Sequence, residues 1–139
     1  MPFSYQRTIH FADTDAAGVV FFANLLAICH EGYEEALAAS GIELAGFFRE
    51  SEVIVPIISS EASYLRPLAV GDKVRVLVDP SPLGEDSFEV RYEIVKDGPH
   101  GGKAAVRAST RHVCIDAKTR RRMALPPRLA AWAGVKTPA

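Results

Sequence analysis

Apolar and polar residues alternate at the start of the chain. Phe3, Tyr5, Arg7, Ile9 and Phe11 share one face, and Ser4, Gln6, Thr8 and His10 the other. A period of two predicts a β-strand. The pattern breaks over residues 12–18, where Asp13, Thr14, Asp15 and Gly18 give a loop composition. From about residue 20 to residue 40 the period changes. Leu25, Leu26, Cys29, Tyr33, Ala36 and Leu37 recur at helical spacing, with His30, Glu31, Glu34 and Glu35 largely opposite them. Gly41 stands where such a helix would stop. A shorter helical piece is predicted over residues 44–49.

The remainder reads as strands. Residues 53–65 are rich in β-branched side chains, with Pro56 predicting an edge position or a bulge. Turns are predicted over residues 67–72 and 80–86, with strands over 73–78 and 88–95. Residues 97–102 carry Gly and Pro in a hairpin pattern, residues 104–115 read as a last strand, and a short helix is predicted over 126–134. The order predicts one α+β domain over residues 1–139, an antiparallel sheet of about five strands packed on one long helix. One helix cannot cover both faces of such a sheet, so self-association is expected.

A composition of 48% hydrophobic and 24% charged residues is that of a globular chain. The formal net charge of -1 gives no footprint for nucleic acid and no broad attraction to a membrane surface. The basic run from Lys118 to Arg122 reads as a solvated turn or as a local phosphate site. No leader pattern and no membrane-length apolar run is found, which predicts a cytoplasmic protein. Cys29 and Cys114 are far apart in apolar contexts and read as buried free thiols; no metal-ligand spacing is present.

The richest stretch for chemistry runs from His10 to Asn24. It sets Asp13 and Asp15, small residues and Gly18 just before the long helix. Carboxylates there would lie beside the unbonded N–H groups of a helix N-terminus. Those donors suit a developing oxyanion, and a carboxylate suits a nucleophile or base. Val19, Val20, Phe21 and Phe22 would keep water away. The same residues also fit a plain N-cap in an Asp-rich turn.

The segment from Asp13 to Phe22, followed by Asn24 and by Glu31, Tyr33 and Glu34, resembles the signature of the 4-hydroxybenzoyl-CoA thioesterase branch of the hotdog-fold enzymes. Within that branch, Cys29-His30-Glu31 and His112-Val113-Cys114-Ile115 are similar to the cyanobacterial enzymes that hydrolyse 1,4-dihydroxy-2-naphthoyl-CoA in phylloquinone biosynthesis. The resemblance implies a hotdog fold, an acyl-CoA substrate, no cofactor and a homodimer or homotetramer. It also implies that Asp15 is the catalytic carboxylate and that the Phe22 N–H polarises the thioester carbonyl. Phe22 stands where one subgroup carries histidine, which argues against a histidine-assisted route.

Phe21, Asn24, His112, Arg66 and Arg111 are candidates for substrate contact, with Lys73, Arg107 and the residue 120–122 run as further cations for the coenzyme A phosphates. His10 and His30 read as surface or interface residues, and His100 as an inert residue of a Gly-rich turn. Ser59 and Ser60 lack a nucleophile elbow, and Cys29 lacks a polar setting. Two other functions stay open from sequence: a broader thioesterase for short-chain or other aryl-CoA thioesters, and a non-catalytic acyl-binding module.

Overall fold

The computed structural model describes residues 2–98 and 102–136. Five strands form one antiparallel sheet: β1 (Phe3–Thr8), β3 (Ile57–Tyr64), β4 (Lys73–Gly84), β5 (Ser87–Lys96) and β6 (Ala104–Val113), in the order β1-β4-β5-β6-β3. A separate ribbon pairs β2 (Val53–Ile54) with β7 (Ile115–Asp116). Helix α1 (Phe22–Ala39) packs on the sheet, and the short α2 (Pro127–Ala133) packs beside it. Residues 44–50 form a short helical segment whose last five residues, Gly46–Glu50, are a π-turn. Pro99, His100 and Gly101 of the expected hairpin lie outside the described residues. Among the described residues no helix is long and apolar enough to cross a membrane.

The inner sheet face follows from the alternation. Val74, Val76 and Val78 on β4 and Phe88, Val90, Tyr92 and Ile94 on β5 are buried. They meet Leu25, Ile28, Cys29, Gly32, Tyr33, Ala36 and Leu37 on α1, a stripe recurring every three or four residues. Burying each large aliphatic side chain stabilises the fold by about 1.5–3 kcal/mol. Gly32 is the closest point: a Cβ there would lie 2.8 Å from Val76 Cγ1 and 3.0 Å from Val78 Cγ2. The glycine lets α1 settle directly on β4.

Five boundaries differ from the sequence reading. β1 ends at Thr8, and a 3-10 turn over Phe11–Asp13 leaves Phe11 82% exposed. The cause is local: the Asp13 carboxylate accepts the His10 N–H at 2.8 Å, offering the backbone a turn in place of a ladder bond. β4 runs on to Gly84 through Pro80 and Pro82, where a turn was expected. Phe3 of β1 pairs with Val78, so beyond it one edge of β4 is open and tolerates prolines. The turn itself is confined to Glu85 and Asp86. Pro56 splits the 53–65 stretch into β2 and β3, and Cys114 separates β6 from β7. Finally, α1 starts at Phe22 rather than near Val20.

Candidate active site

The loop between β1 and α1 is built from its own hydrogen bonds. The Asp15 N–H donates to Val19 O at 3.0 Å, and the Gly18 N–H donates to Asp15 O at 3.0 Å, closing a tight turn. Gly18 has φ +83°, a left-handed conformation that favours glycine. Asp15 Oδ1 accepts the Ala17 N–H at 2.8 Å. Its other oxygen, Oδ2, has no hydrogen-bond partner among the described residues, and Asp15 is exposed.

Asp13 does a different job. Its main-chain oxygen accepts the Phe21 N–H at 2.9 Å and Asn24 Nδ2 at 3.0 Å. Its carboxylate is gripped by Arg7, Nη1 to Oδ2 at 2.7 Å and Nη2 to Oδ1 at 3.0 Å. The Arg7 guanidinium beside Asp13, and then the His10 N–H, hold its carboxyl below the usual carboxylate range.

Neither aspartate caps α1. The N-cap position is Phe21, with no side-chain cap bond, and the N–H groups of Phe22 and Ala23 have no partner among the described residues. This corrects the simple N-cap reading. The free N–H groups carry the positive end of the helix dipole and stand ready for an oxyanion. Beside them is an apolar cleft of about 270 Å³ lined by Val19, Val20, Phe22, Leu25 and Leu68, with Tyr64 and Arg66 among its remaining walls. The Phe22 and Tyr64 rings meet edge to face at 6.3 Å, and each stays about half exposed, at 59% and 50%.

Residues 9–133 match the family model described as the thioesterase-like superfamily. The chain belongs to the thioesterase-like superfamily. It is 48% identical over 128 residues to a 1,4-dihydroxy-2-naphthoyl-CoA hydrolase of Thermosynechococcus vestitus, covering 92% of this chain and 86% of that one. A protein of the same name from Nostoc punctiforme is 46% identical, covering 95% and 86%. The solved structure of a 1,4-dihydroxy-2-naphthoyl-CoA thioesterase from Synechocystis superposes with a TM-score of 0.90 at 29% identity, covering 96% of each chain. The fold is the hotdog fold, as the resemblance implied.

Within this thioesterase-like chain, Phe22 and Arg66 share the lining of one cleft, and Asp15 lies outside that lining, in the exposed loop that leads to Val19 and Val20. Arg66 is tethered at the cleft by Nη1 to Ala104 O at 2.6 Å. Phe21 packs on Phe22 at 4.9 Å. Asn24 braces the loop through Asp13, which occupies the amide group that was expected to meet substrate. Arg111 is not brought to this cleft: on β6 it pairs with Ser59 and faces Glu89 on the outer side of the sheet, near the other end of β3 from Arg66. Arg107 lies on that outer face beside Glu93, and Lys73 donates to Thr8 Oγ1. The basic run proves to be a turn closed by Asp116, whose Oδ1 accepts the N–H groups of Lys118 and Thr119. Tyr64, Leu65, Pro67 and Leu68 are wall residues that escaped the sequence reading; they lie at and just beyond the end of β3 and carry no local signal.

His112 is also corrected. It is 1% exposed, stacked on Phe88 at 4.7 Å and packed against Tyr33, so it belongs to the core and not to the cleft. Its Nε2 shares a hydrogen bond with Thr110 Oγ1 at 2.7 Å, and Thr110 bonds Tyr92 Oη at 3.0 Å. Burial pushes the Cys29 thiol up to about 12, so it is protonated near neutrality and does not serve as nucleophile.

Burial, and then the neighbouring His30, lower the His112 pKa from 6.5 to about 4. Between those values the unfolded chain binds a proton that the folded chain refuses. Folding stability should therefore fall as pH drops from 6.5 toward 4, by about 3 kcal/mol from this group. Urea denaturation across that range checks it, with His112→Phe expected to flatten the slope.

Proposed function

We propose that this protein hydrolyses 1,4-dihydroxy-2-naphthoyl-CoA to 1,4-dihydroxy-2-naphthoate and coenzyme A, the acid serving phylloquinone biosynthesis. The observation that carries the proposal is a carboxylate with a free oxygen, Asp15, in the loop leading into an uncapped helix N-terminus that opens on an apolar cleft. Relatives of that printed name at 46–48% identity support the choice of acyl group.

The thioester carbonyl oxygen accepts the Phe22 N–H, with the Ala23 N–H beside it, so negative charge develops at the positive end of the α1 dipole. Asp15 supplies the other half. It either attacks the carbonyl carbon, expelling the thiolate and leaving a mixed anhydride that water hydrolyses, or it takes a proton from the attacking water. In both routes the C–S bond breaks and the sulfur leaves as coenzyme A thiol once protonated. The acyl ring system occupies the cleft against Phe22 and Tyr64. Arg66 at the cleft is the cation best placed for a polar or phosphate group of the substrate.

The whole chain acts as one domain, in the cytoplasm, as a homodimer or homotetramer. The free edge of β3 supports self-association. It is eight residues long, mostly exposed, and carries Ile57, Ile58 and Tyr64 toward solvent. Such an edge invites pairing. Joining two copies along it would place Phe21, Phe22 and Tyr64 near the seam and supply the exclusion of water that one chain leaves incomplete around Asp15.

Three outcomes test this reading. Asp15→Asn should remain folded by circular dichroism and lower kcat about a thousandfold, roughly 4 kcal/mol of barrier; near-normal turnover would overturn the mechanism. In a kinetic panel the naphthoyl thioester should exceed acetyl-CoA and butyryl-CoA in kcat/KM by about thirtyfold. Roughly 80 Å² of extra apolar burial at about 25 cal/mol per Å² gives about 2 kcal/mol. Equal efficiency on short aliphatic thioesters would favour the broader thioesterase reading. Light scattering should report at least twice the 15.1 kDa chain mass at micromolar concentration; a monomer would contradict the assembly.

A further inference from the structure

Arg7 is a cation on the inward face of β1, between Tyr5 and the fully buried Ile9. Its side chain is only 12% exposed. All five of its N–H donors are engaged. Nε and Nη2 reach the two oxygens of Glu31 at 2.7 and 3.3 Å. Nη1 and Nη2 reach the two oxygens of Asp13 at 2.7 and 3.0 Å, and Nη1 also donates to Thr8 O at 3.2 Å. Tyr5 Oη adds a donor to Glu31 Oε1 at 3.1 Å.

These bonds join three elements. Arg7 stands on β1, Asp13 in the loop that carries Asp15, and Glu31 on α1, whose first turn carries the free N–H groups. Asp13 passes the restraint on, because its carbonyl holds the Phe21 N–H and Asn24 Nδ2. The carboxylate and the oxyanion donors thus sit on two bodies that touch the same guanidinium. A planar fork with two bidentate edges sets an angle between its partners; a point charge does not.

We infer that Arg7 is a positioning residue for the hydrolysis, fixing the Asp15 loop relative to the α1 N-terminus through Asp13 and Glu31. This rests on the thioesterase reading. Arg7 lines no wall of the cleft, so its loss leaves substrate binding intact and misplaces the reacting groups. A displacement of about 1 Å at a reacting centre costs on the order of a hundredfold in rate.

The test compares Arg7→Lys with the wild type at a temperature well below the melting point of each, with kcat expressed per folded molecule. The expected result is a fall in kcat of about a hundredfold with KM within about threefold. Lysine keeps the charge, so a role in charge or packing alone predicts rescue by this variant, and kcat within threefold of wild type overturns the inference. Asp13→Asn removes the same grip from the loop side. It should give the same split, and Arg7→Lys added to Asp13→Asn should cost little more, because both act through one contact. Should Arg7→Lys not fold, Asp13→Asn decides alone: retained kcat overturns the inference. A wild-type protein inert on every aryl-CoA thioester would instead sink the thioesterase reading, a result distinct from active wild type with active Arg7→Lys.

Discussion

Gly32 meets β4 with so little room that a Cβ would come within 2.8 Å of Val76 Cγ1. This contact fixes how near α1 lies to the sheet, and the apolar stripe on either side of it fixes which face turns inward. With Leu25 and Leu37 buried near the two ends of the helix, its axis has little freedom to tilt. Its N-terminus is therefore delivered to one place, beside the loop after β1. The cleft follows from the same placement, because Val20 and Leu25 meet Leu68 there and the Val20 N–H is bonded to Leu68 O at 2.8 Å.

Packing alone leaves the helix free to rotate slightly about its axis and leaves the loop unconstrained. The polar bonds supply what packing does not. Arg7 with Asp13 and Glu31 amounts to one cation between two anions, partly removed from water, an arrangement whose desolvation offsets much of its attraction. Its worth lies in direction rather than in net stability. Five donors in one plane meet four carboxylate oxygens and a carbonyl, and few other arrangements of β1, loop and helix satisfy them all.

The elements were legible wherever one face is buried and the other wet. β1, β4, β5 and α1 follow their periodicities because the core enforces them. Boundaries were hidden where a side chain or an edge overrode the pattern: Asp13 ended β1 early, and the open edge of β4 let Pro80 and Pro82 remain in a strand. In the site, Asp15, Asp13, Gly18 and Phe22 were legible because they are contiguous. Tyr64, Leu65 and Leu68 reach the cleft only through the path of the chain at and beyond the end of β3, and no local spacing announces that; Arg66 was named as a cation, but its sequence context did not set it apart from the others. His112 misled because it stands in a family-like stretch, yet its parity on β6 matches Val106 and Thr110, which are buried. One signal was present and unused. Arg7 shares a face with Phe3, Tyr5 and Ile9, and a cation on an apolar face must find carboxylates inside the fold.

Under the proposed mechanism, the uncapped start of α1 is where stability gives way to chemistry. A serine, threonine or aspartate at the N-cap would satisfy an orphan N–H and stabilise the helix by about 1 kcal/mol. Phe21 offers no such acceptor, and the two nearby aspartates that could have done so are committed elsewhere. Asp13 spends its carboxylate on Arg7 and His10, and Asp15 turns Oδ1 back to Ala17. A capped helix would present its donors already occupied, and an incoming carbonyl would have to displace the cap before charge could develop. Left open, the same N–H groups would meet the oxyanion of the proposed mechanism without reorganisation. The aromatic ring at the N-cap packs edge to face on Phe22, a wall residue of the cleft, and leaves those donors without a side-chain acceptor.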